Sequence, residues 1–309
     1  MTAGRKRYEP WLHAAGIVLV LVLPFAAYPL FLAKVLCFCL FACAFNLLLG
    51  TAGLRSFGHA AFFGAGAYLS AYALKGWGLP FELALATGTA SAALLGLVFA
   101  ALSVRRHGLY FAMVTLALAQ IVYFAVLHLP FTHADDGLTA VPRGRLLGLL
   151  DLNDIRVLYY TAATVFAAGY ALIHRIWHSP FGRVLEAIRE NEARAVSLGY
   201  QVERYKLLAF VLSAGLAGLA GAMKAVVVQL ASPVDVHWST SGDLILMTLL
   251  GGIGTLPGPA VGTAVVEVVE LYLADSGLPV QAVVGAVFIA AILLFRRGIV
   301  GTAMRLLRS

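Results

Sequence analysis

The feature that most constrains this chain is the spacing of its charged residues. They recur in short connectors, and between them lie uncharged apolar runs of about 20 residues, the length a helix rising about 1.5 Å per residue needs to cross about 30 Å of hydrocarbon. Trp11–Leu32 is one such run, with only His13 at its mouth, and Val35–Leu54, between Lys34 and Arg55, is a second. Ser56–Leu74 is a shorter, glycine-rich third; Leu83–Val104, closed by Arg105 and Arg106, is a fourth; Leu109–Leu129 is a fifth and Val157–Ile173 a sixth. Leu207–Leu230, Leu244 to about Ile253, Ala260–Ala274 and Gly277–Phe295 bring the predicted spans to about ten, the eighth and ninth being short. Composition agrees, because 61% of the 309 residues are hydrophobic and 12% charged, against roughly a quarter charged in a soluble domain. A soluble enzyme and a disordered chain are both excluded. The predicted fold is all-α, a polytopic transmembrane helix bundle forming one domain over residues 1–309.

The net charge of +7 does not point to nucleic acid, since the basic residues sit in the connectors rather than in one patch. Cytoplasmic connectors collect Lys and Arg, and this fixes an orientation. With Arg5, Lys6 and Arg7 inside, alternation also places inside Arg55, Arg105, Arg106, the group from Arg175 to Lys206, and the tail with Arg296, Arg297, Arg305 and Arg308. That accounts for 16 of the 22 basic residues, and it puts both termini in the cytoplasm. The 130–156 connector is then outside and the 178–206 connector inside. The basic N-terminus followed by an apolar run looks like a signal peptide, but 22 residues exceed an h-region of about 7–15, so it is read as a retained span.

Most familiar site chemistry is missing. Cys37, Cys39 and Cys43 all fall in the second span without a histidine or fourth thiol to complete a metal site, and they read as small packing residues. His174 and His178 stand four apart but lack a third ligand and a base. No lysine is followed by Ser or Thr, so there is no P-loop to cradle ATP phosphates. Ionisable residues in the spans are the mark of ion coupling, and the candidates are Lys224, Asp243, Glu267 and Glu270. Lys224 lies about 26 Å along its helix from Leu207 and is expected to snorkel to the outer interface; Asp243 is expected to cap the eighth span. Glu267 and Glu270, three apart on one helix face, form the one plausible carboxylate pair, read either as structural or as proton-coupling.

The connector after the sixth span holds more information. Ser179-Pro180 supplies an N-cap and an N1 proline, Gly199 a C′ residue, and Arg183–Leu198 therefore reads as one helix. Glu190 and Arg194 make an i,i+4 pair, and Val184, Leu185, Ile188, Ala195 and Leu198 form an apolar stripe. Such a helix lies on lipid or inserts into a groove of a cytoplasmic partner. Small residues recur every four positions at Ala214, Gly218 and Ala222 and at Ala60 and Gly64, which reads as close helix packing. Leu-Gly-Thr-Ala-Gly at 49–53 is echoed by Leu-Gly-Gly-Ile-Gly at 250–254, compatible with an inverted repeat around broken helices or with chance.

The segment Ser-Pro-Phe-Gly-Arg-Val-Leu-Glu-Ala-Ile-Arg-Glu-Asn-Glu-Ala-Arg-Ala-Val-Ser-Leu-Gly-Tyr at 179–200, with Tyr-Lys-Leu-Leu-Ala-Phe-Val-Leu-Ser-Ala at 205–214, resembles the cytoplasmic coupling loop of the permease subunits of branched-chain amino-acid ABC importers. Asn46-Leu-Leu-Leu-Gly50, Ser56-Phe-Gly-His-Ala60 and Phe63-Gly-Ala-Gly-Ala-Tyr68 are similar to the family's early glycine-rich segment, and Gly251-Gly-Ile-Gly-Thr-Leu-Pro-Gly-Pro259 to its late glycine-proline turn. Gly108-Leu-Tyr-Phe-Ala-Met-Val-Thr-Leu-Ala117 and Asp136-Gly-Leu138 resemble the longer, M-type subunit. The resemblance implies a non-catalytic subunit without a cofactor of its own. It would form half of a pathway with a second, H-type permease; two separate ATPase subunits would bind the ATP, and a periplasmic binding protein would deliver the substrate, all in a bacterial inner membrane. By the same resemblance Arg183, Glu186, Ala187, Arg189, Glu190, Arg194 and Gly199 would couple to the ATPases. Asn46, Gly50, Gly53, Ser56, Gly58, His59, Gly251, Gly252, Gly254, Pro257 and Gly258 would line or pack the pathway, and Asp135, Asp136 and Gly137 would face the binding protein. Urea, short amides and aromatic acids are cargoes of the same class. A proton-coupled transporter using Glu267 or Glu270 is the rival reading.

Overall fold

The computed structural model describes residues 20, 22–25, 27–274 and 298–306, with positions 283, 285, 286, 288 and 289. Half of the predicted span at 11–32 and all but five residues of that at 277–295 lie outside the described residues. What is described is a helix bundle. Helix α1 runs Pro29–Asn46 and continues as a π-helical segment, Leu47–Ala52; α2 is His59–Lys75, α3 Phe81–Ser103, α4 Gly108–His128 and α5 Ile155–His178. Two short helices follow, α6 (Pro180–Glu190) and α7 (Glu192–Ser197), then the long α8 (Val202–Val228), α9 (Trp238–Gly251), α10 (Gly258–Ala274) and α11 (Ile299–Leu306). Among the described residues, five helical runs are long and apolar enough to cross a bilayer: Pro29–Ala52, α3, α4, α5 and α8.

Helix α1 starts at Pro29, not at Val35, and Lys34 lies inside it. Lys34 is not a connector residue; a lysine paired within the bundle looks the same in sequence as one in water. Its Nζ stands 3.0 Å from Glu267 Oε2 on α10, close enough for an ion pair though not aligned as a hydrogen bond, since among the described residues that buried oxygen has no hydrogen-bond partner. Glu267 is therefore partnered across helices with Lys34 rather than with Glu270, which is only half-buried. Lys224 differs from expectation in the same way. Instead of snorkelling it turns inward, 2.6 and 2.8 Å from the two carboxylate oxygens of Asp235, both side chains 8% exposed. Asp235 also accepts from the Ser232 amide in a capping box. The N-cap of α9 is His237, and Asp243 sits inside the helix.

Helices α1 and α8 form the centre, buried along most of their length, whereas α3, α4 and α5 turn much of their apolar surface outward, as lipid-facing helices do. Of the small residues flagged in sequence, Ala214, Gly218 and Ala222 lie at helix crossings, whereas Gly64 packs against Val236 in the turn before α9. Gly218 meets Ala92 and Gly88 of α3, Ala214 meets Gly96, and the Ala222 carbonyl accepts from Ser70 of α2 at 3.4 Å. At Gly221 the approach is tightest: any Cβ would collide with the Phe63 carbonyl, so α2 and α8 touch backbone to backbone.

The connectors sort to two ends. At one end Arg105 reaches Glu203 (3.4 Å), His107 faces Glu192 (3.5 Å), and Lys206 pairs with Glu192 (2.8 Å), so the loops with Arg55, Arg105, Arg106 and residues 175–206 gather there. At the other end the 130–156 connector does have structure of its own: strand β1 (Leu138–Thr139), then a hairpin of β2 (Arg145–Leu146) and β3 (Leu150–Asp151). Strand β1 pairs antiparallel with β4 (Leu230–Ala231), which follows α8. Lys75 donates to the Thr139 carbonyl at 2.9 Å and Arg143 to the Val227 carbonyl at 3.2 Å, closing this clasp.

Candidate functional site

The arginine-rich end brings together three stretches far apart in sequence. The first is the end of α1. After Asn46 the helix widens into the π-helical turn and stops at Gly53, whose φ of +72° is left-handed, a conformation glycine adopts without cost. The second is the turn between α9 and α10, where Gly252 and Gly254 also have positive φ and Pro257 and Gly258 open the next helix. Asn46, 2% exposed, holds these two together: its Nδ2 donates to the Thr255 carbonyl at 2.9 Å and its Oδ1 accepts from the Gly254 amide at 3.3 Å. A side-chain amide offers one donor and one acceptor in a fixed plane, which matches a turn presenting one of each. The two echoing glycine segments thus meet through a single asparagine.

The third stretch is the helical connector. Ser179 caps α6 by accepting from the Gly182 amide, with Pro180 at N1. The expected single helix from Arg183 to Leu198 is instead two. Asn191 is extended (φ −156°, ψ 97°), and its side chain accepts from the Arg194 amide at 2.9 Å, capping α7. Asparagine at the break prefers this local bond to the helix interior, and it places Glu190 and Arg194 on separate helices, so the i,i+4 geometry is lost. Gly199, at φ +88°, ends α7 in a Schellman motif, Gly199 N–H to Val196 O at 2.9 Å and Tyr200 N–H to Ala195 O at 3.2 Å.

The connector has a small core of its own. Ile188, Ala195 and Val202 pack with Val184 and Tyr205, and Phe181 stacks on Tyr205 with ring centroids 5.6 Å apart. Helix α6 therefore buries Gly182, Leu185 and Ile188 while Arg183, Ala187 and Glu190, at i, i+4 and i+7, share an exposed face; Glu186 is half-buried and Arg194 exposed. Arg189 departs from this pattern. Exposed as a whole, it still follows Gly182 and Leu185 around the helix, and its guanidinium donates to the Gly50 carbonyl in the π segment. An ideal Cβ on Gly53 would lie 2.8 Å from the Arg189 stem, and one on Gly50 2.7 Å from the Trp177 ring at the end of α5.

The remaining sequence candidates divide between packing and the opposite end. Ser56 accepts from the Gly58 amide at 3.2 Å, and the Phe57 amide donates to Thr115 of α4 at 3.2 Å. His59 is fully buried among the rings of Phe45, Phe62 and Phe210. Ser213 commits its one hydroxyl proton to the Ala44 carbonyl at 2.6 Å, so it accepts from His59 Nε2 at 2.8 Å, which assigns the neutral Nε2-protonated tautomer. This cross-link joins α1, α2 and α8. Asp135 and Asp136 are exposed at the clasp, while Gly137 is buried against Ala231. Missed in sequence were Arg189 as an inward-reaching residue, Asn46 as a bridge, Asn191 as a break and the Lys34–Glu267 and Lys224–Asp235 pairs. Asn191 followed by Glu192 carried a readable N-cap signal; the long-range pairs carried none.

A bundle of apolar helices with an amphipathic connector locked to a broken central helix is the architecture of a polytopic membrane protein, and the comparisons specify the kind. The family described as branched-chain amino acid transport system / permease component matches residues 29–296, and the chain belongs to that family. It is 30% identical to the high-affinity branched-chain amino acid transport system permease protein LivM of Escherichia coli, and equally to that of Salmonella typhimurium, over 68% of this chain in each case. The chain spans only 55% of the length of each of these two relatives. The LivH permease protein of Salmonella typhimurium is also similar, at 30% identity over 34% of each chain.

Proposed function

We propose that this chain is the membrane-spanning permease subunit of an ATP-driven importer and that branched-chain amino acids are its cargo. The observation that carries the reading is α6, a capped amphipathic helix at the arginine-rich end with its inner side anchored in the bundle and the face of Arg183, Ala187 and Glu190 open to a partner. Family membership supports the permease assignment. The likeness to proteins named LivM and LivH supports a pathway built from two homologous permeases, of which this is one. Two ATPase subunits would dock on α6 and α7, and a periplasmic binding protein on the clasp around Asp135 and Asp136. The excess of basic residues makes the arginine-rich end cytoplasmic, in a bacterial inner membrane with both termini inside. Catalysis belongs to the ATPases; this chain turns their movement into access. The test is uptake of labelled leucine by vesicles carrying this chain with its partner permease, ATPases and binding protein. Uptake should require ATP, and Glu190→Arg or Arg194→Glu should abolish it while membrane insertion is retained. Uptake that survives ATP depletion but collapses with the proton gradient would overturn the reading, as would unchanged uptake and ATPase co-purification in both variants.

A further inference from the structure

The π-helical end of α1 has an electrostatic gap. The last carbonyls of a helix have no N–H ahead of them and carry the negative end of its dipole, and they are commonly met by a basic side chain in the helix's own last turn. Here neither the last turn of α1 nor the π segment contains one. The cation comes from elsewhere: Arg189 of α6, 139 residues away in sequence, donates to the Gly50 carbonyl. Four residues earlier, Asn46 holds the 252–255 turn by the two hydrogen bonds described above. Trp177, one turn before α6, rests on Gly50. A continuous line of polar contacts thus runs from α6 through the π segment to the turn between α9 and α10.

We propose that Arg189 is the positioning residue through which displacement of α6 moves the broken end of α1 and, by way of Asn46, the 252–255 turn. This rests on the proposed coupling role of α6. A π segment suits the task because such segments are rare and occur frequently at functional sites. A charge-assisted hydrogen bond is about twice as strong as a neutral one, so the Arg189–Gly50 bond holds when α6 is pulled. A merely structural cap would not link two breaks.

The experiment measures uptake per ATP hydrolysed in vesicles holding the complete assembly, together with ATPase co-purification. For Arg189→Met, which keeps the apolar stem and removes the donors, co-purification and ATP hydrolysis should persist. Uptake per ATP should fall about tenfold or more, the change a lost charge-assisted hydrogen bond makes in a two-state equilibrium. Asn46→Ala, at the far end of the line, should produce a similar fall, and the double variant should be no worse than the more severe single one. A wild-type ratio in either single variant overturns the proposal, and so do losses that multiply in the double variant. Should Arg189→Met fail to assemble, Asn46→Ala alone decides in the same way. If the unaltered chain does not retain the ATPases, the functional reading itself falls and takes this proposal with it.

Discussion

At the scale of single residues, the charges within the bundle are used as joints. Lys34 with Glu267 ties α1 to α10, and Lys224 with Asp235 ties α8 to the turn that leads into α9. Removing one member of a buried pair strands the other, which typically costs about 3–5 kcal/mol, whereas replacing both by apolar residues of similar volume is often nearly neutral. Lys224→Met should accordingly lower the thermal midpoint of the detergent-solubilised protein sharply, and Lys224→Met with Asp235→Leu should regain most of it. Equal destabilisation in the single and double variants would mean that the pair is not what holds the turn. The need for ionisable residues in a span to be satisfied was legible in the sequence; their partners were not, because each lies on another helix and only the fold brings them together.

At the scale of elements, local rules worked where the chain is punctuated and failed where punctuation is shared. Ser179-Pro180 and Gly199 marked the ends of the connector helices, and proline, glycine and charge marked most of the others to within a few residues. The reading of 183–198 as one helix failed because the apolar stripe continues across Asn191, while the backbone follows the asparagine's own bond to Arg194. Loss of such a cap costs about 1 kcal/mol. Asn191→Ala is expected to speed amide hydrogen exchange in α7 by about fivefold, that energy converted to an opening equilibrium, and to leave α6 unchanged. Exchange that accelerates equally in both helices would show that they open as one unit. Helix α8 begins five residues before the predicted Leu207, and Lys206, 4% exposed, lies inside it, paired with Glu192 of the connector; a lysine buried in this way looks in sequence like the end of a span.

At the scale of the whole molecule, alternating charge foretold which connectors share an end, and the contacts sort them the same way. It could not foretell that the two connectors at the opposite end pair as strands, since a two-residue ladder carries no periodicity to read. The sidedness makes a direct prediction. Cys37, Cys39 and Cys43 are buried and should stay silent to a membrane-impermeant maleimide, so no background need be removed. Asp136→Cys should be labelled in intact spheroplasts and Glu190→Cys only after permeabilisation; the reverse pattern would invert the topology. The clasp and the connector core also share one member. Helix α8, 27 residues and about 40 Å long, carries β4 at one tip and Lys206 near the other, and it crosses α2 at Gly221, in its last third, with no side chain between. Packed along its length against α1, α2 and α3, α8 is a strut that joins the clasp at one end of the bundle to the connector core at the other.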